Sequence, residues 1–211
     1  MRDIPVFATE LGVASLFLKD IPYWGAAYIK IQSTAQPKVF LKECVDFCRA
    51  AGAQRIFASG DACVGDYPHY TDIYQMCRGN FSDDEFCAVF PVQEHTLKQW
   101  LEIYNHAMER VPNAAYMTQH DCMELIKEKS AYFVHASGAL LGIGIASGDK
   151  IPAVISCQKG AGERVLKALC STLDADTIYL EVASNNEPAM RLYERLGFLR
   201  TKVLASWYQV Q

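Results

Sequence analysis

The stretch from Ile151 to Ala183 constrains the fold most. It runs from an apolar, partly β-branched segment, IPAVISC, through a polar glycine-bearing turn, QKGAG, into ERVLKALCSTL and then a second apolar run, TIYLEVA. Val165, Leu166, Leu169 and Leu173 recur at the spacing of one helical face, whereas the flanking runs read as strands. A strand, a turn, a helix and a strand in this order place the chain in the mixed α/β class.

The surrounding segments extend the pattern. AYFVHAS and ALLGIGIAS, separated by Gly138, and then IPAVISC after Gly148-Asp149-Lys150, read as an antiparallel meander. Upstream, Leu97, Trp100, Leu101, Tyr104 and Met108 mark an amphipathic helix over 95–110, ended by Val111-Pro112-Asn113. Thr118 followed by Asp121 predicts a capping box opening a helix through Lys129. Downstream, Asn185 and Asn186 suit a helix cap, Pro188 the first turn and Gly197 the stop, and FLRTKVLASWYQV closes the chain as one or two strands.

The first half repeats part of this order. GAAYIKI reads as a strand and QRIFASGD as another; between them PKVFLKECVDFCRAAGA reads as a helix with Val39, Phe40, Cys44, Phe47 and Cys48 on one face. The division expected is 1–86 and 87–211, where the acidic SDDE gives way to CAVFPV. No low-complexity linker separates the halves.

With 211 residues, 51% of them hydrophobic, the chain can bury a full core without disulfide or metal staples. A net charge of -4 weighs against a nucleic-acid partner, since phosphate neutralisation needs a basic face. No apolar run reaches the roughly 18 to 20 residues of a membrane span. MRDIPVFATE carries an acid and a proline where a signal peptide would have its apolar core, so a cytoplasmic location with no membrane partner is expected. The eight cysteines form no CxxC pair and read as reduced, mostly buried small hydrophobes. His69, His95, His106, His120 and His135 show no ligand spacing, and no metal is expected.

Two segments carry chemistry. The turn from Gln158 to Glu163 opens a helix after a strand, which presents free N–H groups and the positive end of the helix dipole to an anion. It lacks the GxGxxG order of a dinucleotide site and the GKS or GKT ending of a P-loop, and a purely geometric turn is the competing reading. The second segment is LEVASNNEPAMRLYERLGF, Leu180 to Phe198, with Asn186, Ala189, Leu192, Tyr193 and Gly197-Phe198 in the order N-x-x-A-x-x-L-Y-x-x-x-G-F. This order closely resembles the second half of the acetyl-coenzyme A core of the Gcn5-related N-acetyltransferases, whose motif also follows a pyrophosphate-binding helix and a strand. The resemblance is specific over Ile151 to Gln211 and holds in strand order from Cys87.

The resemblance implies a mixed, mostly antiparallel sheet with flanking helices, in which the strand before the glycine turn splays from its neighbour. The first half then reads as a degenerate partial copy of the same core, making the chain a tandem. Acetyl-CoA is the implied co-substrate. Its pantetheine arm would meet main-chain groups of Val154, Ile155 and Ser156, and its diphosphate the turn of Lys159, Gly160, Ala161, Gly162 and Glu163, with Asn186 and Ala189 completing the contacts. Tyr193 is the implied proton donor to the departing thiolate, a packing role being its alternative. Glu181 stands twelve positions earlier, as does the glutamate of relatives that acetylate protein N-termini, and is the candidate base. An acid in so apolar a strand is expected to be desolvated, or else paired with a cation. Two departures from the family pattern are Cys157, where Gln or Arg usually begins the loop, and a shorter strand-to-loop connection.

The expected function is transfer of an acetyl group to a small amine or a peptide amine. The alternative is a coenzyme A binding or regulatory module without turnover. For the first half the candidate roles are shaping the acceptor pocket, a homodimer contact and purely structural support.

Overall fold

The structure, a computed structural model, describes residues 5–81 and 87–211. The acidic segment at the expected division, residues 82–86, and the first four residues lie outside the described residues. Two compact units emerge: one extends to Ile73 and takes in Val203–Gln211, and the other is Tyr74–Lys202.

The first unit contains β1 (Val6–Thr9), β2 (Gly12–Phe17), the single turn α1 (Ile21–Trp24), β3 (Ala26–Thr34), α2 (Pro37–Ala50), β4 (Arg55–Ser59) and the start of β5 (His69–Gly79). β1 and β2 pair antiparallel, as do β2 and β3, whereas β3 and β4 run parallel through five consecutive pairs from Ala26↔Arg55 to Lys30↔Ser59. The right-hand logic of a strand–helix–strand unit explains the parallel pair, since α2 must cross over to bury its apolar stripe. That stripe is Phe40, Leu41, Cys44, Val45 and Cys48, the i, i+1, i+4, i+5, i+8 set of a helix. Val39 and Phe47, expected on the same face, are 50% and 45% exposed because they flank the stripe rather than lie in it.

The second unit contributes the rest of β5, β6 (Ala88–Pro91), α3 (Leu97–Met108), α4 (Gln119–Lys127), β7 (Ala131–Ala136), β8 (Ala139–Ser147), β9 (Lys150–Ser156), α5 (Gly162–Cys170), β10 (Thr177–Ala183), α6 (Glu187–Arg195) and the start of β11 (Leu199–Gln209), whose remainder belongs to the first unit. The expected meander is present, with β6 to β9 pairing antiparallel in sequence order. The expected capping box is present too: Thr118 accepts from the Asp121 N–H while Asp121 accepts from the Thr118 N–H at 2.8 Å. Beyond β9 the strand order is β10, β5, β11. A strand from the first half of the sequence therefore lies between β10 and β11. The fold is the mixed, mostly antiparallel sheet with flanking helices that the resemblance implied.

α5 packs closely on β8 where two glycines leave room for it. A Cβ on Gly144 would lie 2.2 Å from Leu169 Cδ1 and 2.6 Å from the Ala153 carbonyl oxygen, and one on Gly142 would lie 2.2 Å from the Ile155 carbonyl oxygen. Val165 and Leu169, both fully buried, fill that space instead. Gly144→Val is expected to cost about 1–3 kcal/mol or more through overpacking, read as a lower midpoint in denaturant melts. An unchanged midpoint would show that α5 does not depend on this close approach.

Candidate functional site

β9 and β10 part soon after they meet. Their recorded register is the single pair Tyr179↔Lys150, supported by the Tyr179 N–H donating to the Asp149 carbonyl at 2.8 Å. β9 meanwhile stays with β8 as far as Gly142↔Ser156, and the Cys157 N–H donates to the Leu141 carbonyl at 2.8 Å. Because an antiparallel ladder alternates its bonding direction, Cys157 and Ile155 turn their main-chain groups to β8, and Val154 and Ser156 turn theirs to the parted edge. Of the three pantetheine candidates, Val154 and Ser156 thus offer the edge groups, and Ile155 contributes a buried side chain.

The parted edge leads directly into the glycine turn. The Ser156 hydroxyl donates to the Gln158 carbonyl at 2.5 Å and the Gln158 side chain donates to the Leu140 carbonyl at 2.8 Å, which ties the turn to β8. Gly160 adopts φ +84°, a left-handed conformation that favours glycine, and a Cβ there would meet nothing within 4 Å. Ala161 caps α5 with no side-chain hydrogen bond, so the first-turn N–H groups of the helix are not covered by a cap. Lys159 and Cys157 are exposed beside this end. Glu163, in the first turn, is held by Lys167 at 2.9 Å and lies 3.8 Å from Arg195 of α6.

α6 approaches the same end of α5. A Cβ on Gly162 would stand 3.1 Å from Leu192 Cδ2, so the two helices are in contact at the turn. Asn186 caps α6, its side-chain oxygen accepting from the Ala189 N–H at 3.5 Å. Tyr193 is 8% exposed and its ring centroid lies 5.9 Å from that of Phe198. Burial, with the neighbouring Cys170 thiol adding to it, pushes the Tyr193 phenol up to about 12. Burial also pushes the Cys170 thiol up to about 12.

Glu181 lies on the face of β10 opposite the buried Ile178, Leu180 and Val182, as the strand alternation predicts, and is exposed there rather than desolvated. Tyr193 packs in the core that contains Ile178, Leu180 and Val182. The structure therefore gathers the glycine turn, Ala189, Leu192 and Tyr193 around α5 and α6 and leaves Glu181 on the opposite face of its strand. Two features went unread in the sequence: Leu192 as the contact of Gly162, and the entry of β5 beside β10. A shallow cavity of about 220 Å³, lined by Tyr74, Ser184, Glu187, Met190, Arg191 and Arg200, contains none of the expected site residues. Among the described residues no group of three His, Cys, Asp or Glu side chains is placed to hold a metal ion.

Comparison with known proteins agrees with this geometry. Residues 158–198, the turn, α5, β10 and α6, match the model of the acetyltransferase (GNAT) family. The chain is 44% identical over 43 residues to an N-alpha-acetyltransferase of Sulfurisphaera tokodaii, which is 20% of this chain and 26% of that protein. It is likewise 44% identical over 46 residues to an N-alpha-acetyltransferase of Saccharolobus solfataricus, 22% of this chain and 28% of that protein. The match thus spans about a quarter of the length of these curated relatives.

Among solved structures, a conserved protein of unknown function from Staphylococcus epidermidis superposes with a TM-score of 0.63 at 10% identity, over 99% of this chain and 94% of the other. A GCN5-related N-acetyltransferase from Sphaerobacter thermophilus gives 0.58 at 12% identity, over 94% and 76%. A tandem GNAT protein from the clavulanic acid biosynthesis pathway also gives 0.58 at 12% identity, over 95% and 78%. The segment 158–198 thus matches the acetyltransferase (GNAT) family, and the fold of nearly the whole chain is similar to that of solved Gcn5-related N-acetyltransferases.

Proposed function

We propose that the protein is an acyl-coenzyme A dependent N-acyltransferase that moves an acetyl group from acetyl-CoA to a primary amine of a small molecule or a peptide. The observation that carries the reading is the parting of β9 from β10 immediately before an uncapped helix N-terminus. The residues present suit coenzyme A: a free strand edge matches the amides of pantetheine, and the first-turn N–H groups of α5 with Lys159 match a diphosphate. Gly160 and Gly162 add no side chain there, Ala161 packs into the core beneath the turn, Glu163 is drawn aside by Lys167, and Asn186 and Ala189 border the same end from α6.

In this reading a neutral amine attacks the thioester carbonyl, and the Val154 and Ser156 main-chain edge orients the thioester. As the carbon–sulfur bond breaks, Tyr193 donates its proton to the thiolate, and the proton shed by the acylated nitrogen returns to the tyrosinate through water. A phenol pushed up to about 12 stays protonated at neutral pH. Glu181 takes a proton from the incoming ammonium through water, its exposed position on β10 leaving it open to solvent. That same separation from Tyr193 is what favours the second reading, a coenzyme A binding or regulatory module without turnover.

The first unit supports a degenerate copy without a second coenzyme A site. Its β3–α2–β4 run repeats the strand–helix–strand order and parallel sense of β9–α5–β10. Its strands do not part: after the five pairs, a Cβ on Gly60 would still lie 2.2 Å from the Ile31 carbonyl oxygen. The eight free cysteines suit a reducing, cytoplasmic setting.

Calorimetric titration is expected to give one coenzyme A per chain, and thiol release from acetyl-CoA is expected in the presence of one or more members of an amine and peptide library. Two equivalent sites would contradict the closed β3–β4 pair. A thermal shift with coenzyme A but no thiol release with any acceptor would favour the binding module.

A further inference from the structure

Strand β5 enters the second unit from the first half of the sequence, and the residues at and just beyond its end hold the C-terminus of α6 and the link that follows α5. Arg78 donates through Nε to the Gly79 carbonyl at 2.6 Å and through a terminal guanidinium nitrogen to the carbonyl of Leu196, the C-cap of α6. Its guanidinium carbon lies 3.5 Å from the centroid of the Phe81 ring and 6.0 Å from that of Phe198. The Phe81 and Phe198 centroids are 6.4 Å apart, and Phe198 in turn packs on Tyr193 at 5.9 Å. Asn80 completes the clip: its N–H donates to the Asp176 carbonyl at 2.9 Å and its side-chain amide to the Ala175 carbonyl at 3.0 Å, in the link that follows α5.

A helix end leaves carbonyls without intrahelical donors, and a cation there satisfies them and complements the dipole. Arginine does this with a planar fork that can bond a carbonyl and stack on a ring at the same time, which lysine cannot. The Leu196 carbonyl is three residues beyond Tyr193, and Phe198, the residue after Gly197, supplies the ring against which Tyr193 rests. One side chain thus bears on Tyr193 by two routes, through the helix backbone and through the rings.

We infer that Arg78 is a positioning residue for the transfer reaction, holding α6 and the Phe198 ring so that the Tyr193 hydroxyl is aimed at the leaving sulfur. This rests on the proposed role of Tyr193. It assigns to the first half of the chain a task in the site itself: a strand end without which the proton donor is loosely held.

The test is a double-mutant cycle on the full chain, with Arg78→Met, Tyr193→Phe and the double variant assayed on acetyl-CoA and an established acceptor amine. Arg78→Met is expected to lower kcat about 10-fold to 100-fold, with coenzyme A affinity held within about threefold, since misplacement of a catalytic group acts on turnover. In the Tyr193→Phe background it is expected to lower kcat no further. An equal loss in both backgrounds, or no loss in either, overturns the inference and leaves the tyrosine mechanism standing. Full turnover by Tyr193→Phe alone overturns the tyrosine mechanism and this inference with it.

A readout independent of turnover is the ring-carbon NMR signal of Tyr193, assigned by its absence from Tyr193→Phe in tyrosine-labelled protein. It is expected to shift or broaden in Arg78→Met, and an unchanged signal overturns the inference. Arg78→Lys, which keeps the charge and loses the fork, serves if the methionine variant does not fold. It is expected to show the same NMR change and a smaller loss of kcat, and wild-type behaviour in both would count against the assignment.

Discussion

Tyr193→Phe is expected to lower turnover by about 10²-fold to 10⁴-fold and to leave coenzyme A affinity near normal. The substitution keeps the ring against Phe198 and removes only the hydroxyl, so packing and acid catalysis are separated by a single atom. Because the folded phenol is pushed up to about 12, its ionisation does not limit the rate between pH 6 and about 10. A fall in rate through this donor is expected only as the pH approaches 12, and Tyr193→Phe should not alter the profile below it. Glu181→Gln supplies the complementary profile: its defect is expected to be greatest at low pH, where the amine carries a proton that must be removed, and to shrink towards the amine's own pKa. Steady-state kinetics across pH on a confirmed acceptor measure both. Full activity of the two variants at neutral pH would show that the acid and base are other groups, whatever the fate of the cofactor site.

Gly162→Val is expected to weaken coenzyme A binding by tenfold or more, about 1.4 kcal/mol. Gly162 opens α5, and its added Cβ would point at Leu192 Cδ2, 3.1 Å away. That neighbour is the end of a flexible side chain and can move, so the fold is expected to survive. The branched methyls then stand beside the first-turn N–H groups and keep a diphosphate from approaching them. Gly160→Val would be less informative, because φ +84° strains any branched residue whether or not a ligand binds. Titration calorimetry with coenzyme A, beside a thermal melt of the free variant, separates lost binding from lost stability. An unchanged dissociation constant in a folded Gly162→Val protein would remove the diphosphate from this turn.

Much of the second unit was legible in the sequence because its signals are local. The Thr118–Asp121 box, the Asn186 cap, the Gly197 stop and the meander all rest on residues within a few positions of one another, where helical period, two-residue alternation and turn chemistry act directly. The motif from Asn186 to Phe198 carried the family resemblance in the same way, since its spacing is that of one helix and its cap. β5 was not legible. Its buried residues are Thr71, Ile73 and Met76, a polar residue among them and the alternation broken, so no clean period marks it as a strand.

What only the tertiary structure decided is which elements meet. Alternation along TIYLEVA separates Glu181 from Leu180 and Val182, but it does not say which face a core will cover, and the helices covered the face opposite Glu181. Nor does a strand's own sequence name its partner: β3 and β4 stay paired while β9 and β10 part, although both flank a helix of similar pattern. Strand pairing is settled between residues far apart in the chain, by side-chain packing across neighbouring strands, and the contacts that insert β5 beside β10 and bring Arg78 to the end of α6 exist only once the chain has closed on itself.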